Sequence, residues 1–187
     1  MLKHQGTQTL TTSRLILRRF QENDAYQMLN NWANDIRVAE FLSWNPHESI
    51  EDTKAIIEKW VKRSGSFEHY DWGIEAGGEL IGSINVIDFS EHDEWCELGY
   101  CIGYDYWNNG YMSEAVKAVV DYLFSKVNFH RIVIRNASAN PASGRVAEKC
   151  GFIFEGTQRG LMKARSCGFY DMEVRAILRE DWQNQGS

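Results

Sequence analysis

Tyr106-Trp107-Asn108-Asn109-Gly110-Tyr111-Met112-Ser113-Glu114-Ala115 stands midway along the chain, where a strand-like run ends and a long amphipathic pattern begins. A loop that passes through glycine into a helix start leaves several backbone N–H groups without intrahelical acceptors. Such groups can converge on one anion, and a pyrophosphate would fit there. An ordinary loop with a helix starting at Ser113 fits the same letters, so the surroundings have to decide. Beyond the loop, Val116, Val119, Val120, Leu123, Phe124 and Val127 recur at three- and four-residue intervals, which predicts a helix from Tyr111 to Val127 with one buried face.

Upstream, Asp71 to Ala76 and Glu79 to Phe89 are strand-like runs joined by Gly77-Gly78, a connection suited to a hairpin. Trp95 to Tyr104 follows the polar turn at Ser90 to Glu94 and completes a three-stranded antiparallel meander. Earlier still, Leu15, Ile16 and Leu17 form a short strand. Asn23 is placed to cap a helix bearing Ala25, Met28, Leu29 and Trp32 on one face. After the break at Trp44-Asn45-Pro46, Ser49 and Asp52 read as a capping box for a second helix carrying Ile56, Ile57, Trp60 and Val61. Downstream, Arg131 to Ala137 is a strand reached through a helix, which implies a parallel crossover. Asn140 as N-cap, Pro141 at the first helical position and Gly151 past the end frame a short helix. Strands at roughly Phe152 to Met162 and Phe169 to Leu178 close the chain, with a polar loop at Lys163 to Gly168 between them. The order predicts an α+β domain with a mixed sheet.

The chain of 187 residues suits one domain: a polar extension over 1–13, a single unit over 14–182 and a short tail over 183–187. Hydrophobic residues at 43% and charged residues at 25% exclude a disordered or fibrous composition. The formal charge of -6, with no basic run, argues against nucleic-acid binding and favours cationic partners only at the level of encounter. Cys96, Cys101, Cys150 and Cys167 lack metal-ligand spacing, so no metal is expected. No apolar run is long enough to span a bilayer and the first residues lack the core of a signal peptide, so the expected setting is reducing and cytoplasmic, away from membranes. Neither G-x-x-x-x-G-K-[ST] nor G-x-G-x-x-G occurs, and the loop follows a meander instead of the first strand. A P-loop and a doubly wound dinucleotide fold are thus disfavoured, leaving coenzyme A as the natural diphosphate ligand.

Trp107 to Ala115 resembles the pyrophosphate loop of the GNAT superfamily of N-acetyltransferases. Asn136-Ala137-Ser138-Ala139-Asn140-Pro141-Ala142-Ser143, continued by Val146 to Phe152, is similar to the second signature of the branch that acetylates ribosomal-protein amino termini. Glu97-Leu98-Gly99-Tyr100 resembles that branch's central strand, and Thr12 to Arg18 its opening, so the resemblance covers about Arg14 to Trp182. The family loop follows Gln/Arg-x-x-Gly-x-Gly/Ala, and this chain departs from it with Trp107 first and Met112 last. The resemblance implies a mixed, mostly antiparallel twisted sheet of about seven strands with about four helices, splayed at its central strands. It also implies acetyl-CoA as co-substrate, held by Cys101, Ile102, Gly103, Trp107, Asn108, Asn109, Gly110, Tyr111, Met112, Ser113, Asn140 and Ser143. An outward-pointing Met112 is compatible with main-chain contacts to a diphosphate.

Acetyl transfer by direct attack of an amine needs a proton acceptor, oxyanion donors and positioning. Glu97 on the central strand is the candidate acceptor; a structural ion pair is its bland alternative. Many relatives carry a proton-donating tyrosine where this chain has Ala147, so Ser143 is the candidate donor, with capping or a coenzyme A contact as the alternative. Cys101 is not expected to act as a nucleophile and His130 is expected in a loop or at a strand end. Trp32, Trp44, Trp60, Trp72 and Trp107 are expected in the core or its rim, and none is assigned to substrate. The acceptor expected first is a protein or peptide N-terminal amine. A small amine, antibiotic or polyamine, comes second, and a catalytically silent coenzyme-A module third. A homodimer is compatible with the sequence, but nothing argues for one.

Overall fold

A computed structural model of the chain describes residues 1–163 and 168–185. It opens with β1 (Leu10–Thr11), β2 (Ile16–Arg18) and α1 (Ala25–Met28), which widens into a π turn over Leu29–Ala33, followed by α2 (Ile36–Ala39) and α3 (Ile50–Arg63). The meander β3 (Asp71–Ala76), β4 (Glu79–Ser90) and β5 (Trp95–Ile102) leads to α4 (Tyr111–Tyr122), itself extended by a π turn over Leu123–Val127. Then come β6 (Arg131–Ala137), α5 (Pro141–Lys149), β7 (Ile153–Lys163), β8 (Phe169–Leu178) and α6 (Arg179–Gln185).

The strands form one sheet in the order β1-β2-β3-β4-β5-β6-β8-β7. Every pairing is antiparallel except that of β5 with β6, which is the parallel crossover expected from the helix between them. The α+β class and mixed sheet are therefore as read from sequence, with eight strands in place of about seven and six helices in place of about four. The additions are short. β1 is a two-residue extension zipped onto β2, and α2 is one turn capped by Asp35, whose carboxylate accepts from the Arg37 N–H at 2.9 Å. α6 runs past the expected boundary at 182, with the Asp181 carboxylate accepting from Leu178 N–H and Trp182 Nε1 donating to Asp121 at 2.6 Å.

The entry to α1 differs from expectation. Asn23 does not cap it; Asp24, inside the 3-10 turn Glu22–Asp24, accepts from Gln21 N–H at 2.8 Å and is held by the Arg18 guanidinium of β2. The buried ion pair outcompetes a solvent-exposed cap. The Ser49–Asp52 capping box is present, with Asp52 accepting from Ser49 N–H at 3.0 Å and Ser49 Oγ accepting from Asp52 N–H at 3.2 Å. Residues 1–13, read as a polar extension, run along the domain. Leu2 is buried, Lys3 N–H donates to Val127 O, and Tyr122 Oη donates to Gly6 O at 2.7 Å. The loop read at Lys163 to Gly168 lies largely outside the described residues, as does Cys167.

Side-chain alternation along β5 divides the core in two. Cys96 and Leu98 join Val116, Val119 and Phe124 of the α4 run and Ala147 of α5 on one face. On the other, Phe20, Met28, Trp32 and Ile57 pack beneath α1 and α3, with Cys101 at the edge of the cluster. Trp72 belongs wholly to the first core, stacked 5.9 Å from Tyr70. Gly103 ends β5 against the π turn, where a methyl group would collide with the Asn31 carbonyl; Asn31 is itself fixed by donation from Nδ2 to Leu80 O at 2.7 Å. Gly103→Ala is accordingly expected to lower stability by about 1–3 kcal/mol, an overpacking cost, read as a reduced urea midpoint with an unchanged slope.

Candidate active site

β5 and β6 pair in register from Trp95↔Arg131 to Leu98↔Ile134 and no further. Past that point Gly99 to Ile102 remain bonded to β4 alone, while Arg135 to Ala137 turn with β8. The two central strands part, and a cleft of about 970 Å³ opens through the sheet. The α4 entry and α5 line one side of it, and α1 to α3 the other. This is the splay expected at the central strands.

The loop at the α4 entry has a distinctive backbone. Asn108 and Gly110 adopt positive φ of 61° and 77°, and the first helical bond is Glu114 N–H to Gly110 O at 3.1 Å. The amides from Asn108 through Ser113 meet no acceptor among the described residues. Asn108, Gly110, Tyr111, Met112 and Ser113 line the cleft, whereas Asn109 and Gly103, also expected at the cofactor, do not. Asn109 instead braces the loop, donating from Nδ2 to Trp107 O at 3.1 Å and accepting at its carbonyl from Arg14 Nη1 at 2.9 Å. Two features depart from the sequence reading. Met112 points into the core and not outward, following the buried face shared with Ala115, Val116 and Val119. Trp107 turns back on β5 and donates from Nε1 to Ile102 O at 2.9 Å, so that carbonyl is already occupied.

Sequence reasoning missed what fastens this loop. Glu114 accepts from Thr12 Oγ1 at 2.5 Å, Ser13 Oγ at 3.0 Å, Arg14 N–H at 3.0 Å and Arg14 Nε at 2.7 Å, while the Arg14 guanidinium lies 4.6 Å from the Tyr111 ring centroid. Burial opposes the ionised carboxylate, yet hydrogen bonds from Thr12, Arg14 and Ser13 hold its pKa down to about 2.

At the start of α5, Asn140 Oδ1 accepts from Ser143 N–H at 3.2 Å, the cap read from sequence. Ser143 faces the cleft and meets Tyr100, whose hydroxyl lies 3.0 Å from Ser143 Oγ and donates to Ser143 O at 3.1 Å. Burial pushes the Tyr100 phenol up to about 12, so it keeps its proton. Ala147 is buried and carries no donor, but Tyr100 brings a tyrosine hydroxyl to the same helix from β5. Alternation along Leu98 and Tyr100 was the signal that could have found it. Beneath α5, buried Arg175 donates to Asn136 Oδ1 at 2.9 Å, Glu173 at 2.6 Å and Glu148 at 3.1 Å, and Asn136 in turn donates to Ala137 O. This network holds the turn that feeds the helix. Arg145 and Lys149, one turn apart on α5, line the cleft without a carboxylate partner among the described residues.

Glu97 is buried at 6% exposure, beside the point where the strands part. Its Oε2 accepts from both Nε (2.9 Å) and Nη2 of Arg135, leaving Oε1 without a partner among the described residues. The glutamate thus reaches the cleft and also forms the ion pair that was its alternative reading. Cys101 lines the cleft, but burial raises its thiol to about 11, unsuited to a nucleophile. His130 is exposed at the start of β6. The tryptophans divide between core and rim as expected: Trp72 and Trp32 are fully buried in the two cores, Trp44 and Trp60 pack half-buried against the second, and Trp32, Trp44, Trp60 and Trp107 all border the cleft. Among the described residues no group of metal ligands occurs and no helix is long and apolar enough to cross a membrane.

Residues 14–153 match the model of the acetyltransferase (GNAT) domain. The chain belongs to the GNAT acetyltransferase family. It is 33% identical to the uncharacterized N-acetyltransferase YoaA of Bacillus subtilis, over 91% of this chain and 96% of that one. It is 27% identical to the ribosomal protein uS5-alanine N-acetyltransferase of Escherichia coli, over 92% of each. Against a spermidine N(1)-acetyltransferase of Vibrio cholerae it is 24% identical, over 77% of this chain and 82% of the relative. A GNAT-family acetyltransferase structure from Bacillus anthracis superposes with a TM-score of 0.81 at 26% identity, covering 92% of this chain and 99% of that one. The chain is an N-acetyltransferase, and the silent-module reading falls away.

Because the Glu114 pKa is depressed from 4.5 to about 2, its contribution to stability is complete above the unfolded value and disappears as pH falls through about 2. Glu114→Gln should therefore be less stable than the parent near neutrality, with the difference shrinking between about pH 4.5 and pH 2. Thermal melts of both proteins across that range check this.

Proposed function

We propose that the protein transfers the acetyl group of acetyl-CoA to the α-amine of a protein or peptide N-terminus in the cytoplasm. The observation that carries the reading is the run of acceptor-free amides from Asn108 to Ser113, whose residues other than Asn109 line the same cleft into which β5 and β6 part. Converging amides at a helix start suit a diphosphate. Arg145 and Lys149 add positive charge beside it, and the free edge of Gly99 to Ile102 offers main-chain partners to an extended amide-bearing arm. The Ile102 carbonyl, held by Trp107, is the exception on that edge. Acetyl-CoA supplies a thioester as acyl donor, and everything else is asked of the chain.

In this reading Glu97 receives the proton shed by the attacking amine, at Oε1 directly or through a water, while Arg135 keeps Oε2 occupied and the carboxylate oriented. Arg135 is held charged by the same contact, its pKa raised by the hydrogen bond to Glu97. On the opposite side, the Tyr100 and Ser143 hydroxyls form the donor pair for the departing sulfur, and the undissociated phenol keeps a proton available to it. The resemblance to the uS5-alanine enzyme supports a protein N-terminus as acceptor. The resemblance to the spermidine enzyme favours a small polyamine as the second reading.

Glu97→Gln should lower kcat by roughly 10²–10³-fold with little change in the KM for acetyl-CoA, since it removes proton acceptance and leaves the loop intact. Paired replacement of Arg145 and Lys149 by glutamate should instead raise that KM by about tenfold or more at constant kcat. Steady-state kinetics following thiol release separate the two. Mass spectrometry of peptides and polyamines incubated with labelled acetyl-CoA tests the acceptor, and acetylation of polyamines alone would overturn the first reading.

A further inference from the structure

The wall of the cleft facing α1 to α3 has a composition that selects an acceptor. Phe41, Leu42, Trp44, Ile56 and Trp60 line it and are each half-buried, so their apolar surface is neither sealed in the core nor left in bulk water. Phe20 packs 4.5 Å from Trp60 and fixes that ring from behind. Phe41 lies 5.6 Å from Tyr170, an aromatic contact from the segment after α2 to β8 that bridges the far side of the opening. From the β7–β8 hairpin, Met162 and Met172 add adaptable apolar surface.

The charges on this wall are already spent on one another. Arg63 forks onto Asp71 with two contacts of 2.6 Å, and Asn85 donates to the same carboxylate. Arg37 is bound by Asp35 at 2.9 and 2.5 Å and lies over the Tyr104 ring. Glu97 is occupied by Arg135. His47 lies 2.8 Å through Nδ1 from Thr53 Oγ1, and burial lowers its pKa, which keeps it neutral. Among the described residues of this wall, Glu40, exposed, is the one carboxylate without an ion-pair partner. A polyamine carries ammonium groups at intervals and needs a carboxylate for each one it buries, since an uncompensated buried charge is costly. This wall does not provide them. A large apolar group gains from every half-buried ring it covers.

We infer that the acceptor is a primary amine borne next to a large apolar group, foremost the α-amine of a peptide whose first residue is aromatic or a large aliphatic. The inference rests on the acetyltransferase reading and narrows its acceptor: the side chain of the first residue enters the space between Trp44, Trp60 and the β7–β8 methionines, while its amine stays at the parting of the strands beside Glu97. A small arylalkylamine shares that chemistry and is the other source to be distinguished.

The test is a set of kcat/KM values for peptides identical except for Phe, Leu, Ala or Ser at the first position, with phenethylamine and spermidine alongside. The phenylalanyl and leucyl peptides should exceed the seryl peptide and spermidine by roughly 30-fold or more, a range that apolar pockets reach for differences of a few carbons. Phenethylamine above the phenylalanyl peptide would assign the site to small amines of the same class. Equal or better use of the seryl or alanyl peptide, or of spermidine, overturns the inference. In Trp44→Ala the ratio of phenylalanyl to seryl peptide should fall by about tenfold through KM, and Trp60→Ala should do the same; an unchanged ratio in both also overturns it. Acetyl-CoA titration by calorimetry on each preparation keeps the two levels apart. Binding without the predicted preference defeats the acceptor assignment alone, whereas absence of binding by the parent protein defeats the cofactor reading beneath it.

Discussion

The parallel pairing of β5 with β6 stops at Leu98↔Ile134, and the rest of the site depends on that stop. Each strand keeps its outer partner, β4 on one side and β8 on the other, so the sheet divides without either strand losing its place. Backbone groups that would ordinarily satisfy each other are left facing an opening, a costly arrangement unless water or a ligand takes the place of the missing ladder. The opening is maintained from both sides. Tyr100 meets Ser143 at the α5 start, and Arg175 with Asn136 fixes the turn that draws β6 away.

Much of this was legible in the residues because its causes are local. Gly77-Gly78 dictates a hairpin, Asn140-Pro141 with Gly151 frames α5, and the spacing from Val116 to Val127 carries the helix that backs the loop. Met112 could have been read correctly too, for it continues that same spacing toward the N-terminus and is buried with Ala115 and Val119. Short elements escaped: β1 has two residues and α2 four, too few for any period to show. Asn23 misled because an exposed cap residue stood next to Asp24, whose long-range partner Arg18 is invisible to a window of neighbours.

The site was legible in position more than in partnership. Glu97, Ser143, Asn140 and most of the loop residues come together around one cleft, yet what each touches was set by distant chain. Arg135, Tyr100 and Arg14 were read only as parts of strands and signatures, without a role at the site, because an ion pair across a parallel register, a hydroxyl contact to a helix start and a clasp onto the loop leave no trace in sequence spacing. The tryptophans illustrate the same limit: Trp72 and Trp60 look alike as letters, and only the packing of α3 over one face decides that one is core and the other borders an opening.

The clasp between Arg14 and Glu114 joins residues separated by 100 positions. Bringing such distant segments together is entropically expensive, so the loop amides acquire their final arrangement only when the first strand has docked and most of the sheet exists. If these amides hold the cofactor as proposed, its affinity is a property of global order and not of a local peptide motif. Under the proposed role of these amides, a partly unfolded form that releases β2 would give up the diphosphate site with it, and a bound cofactor would in turn protect the amino-terminal edge of the sheet from opening, a protection that hydrogen exchange would register far from the ligand.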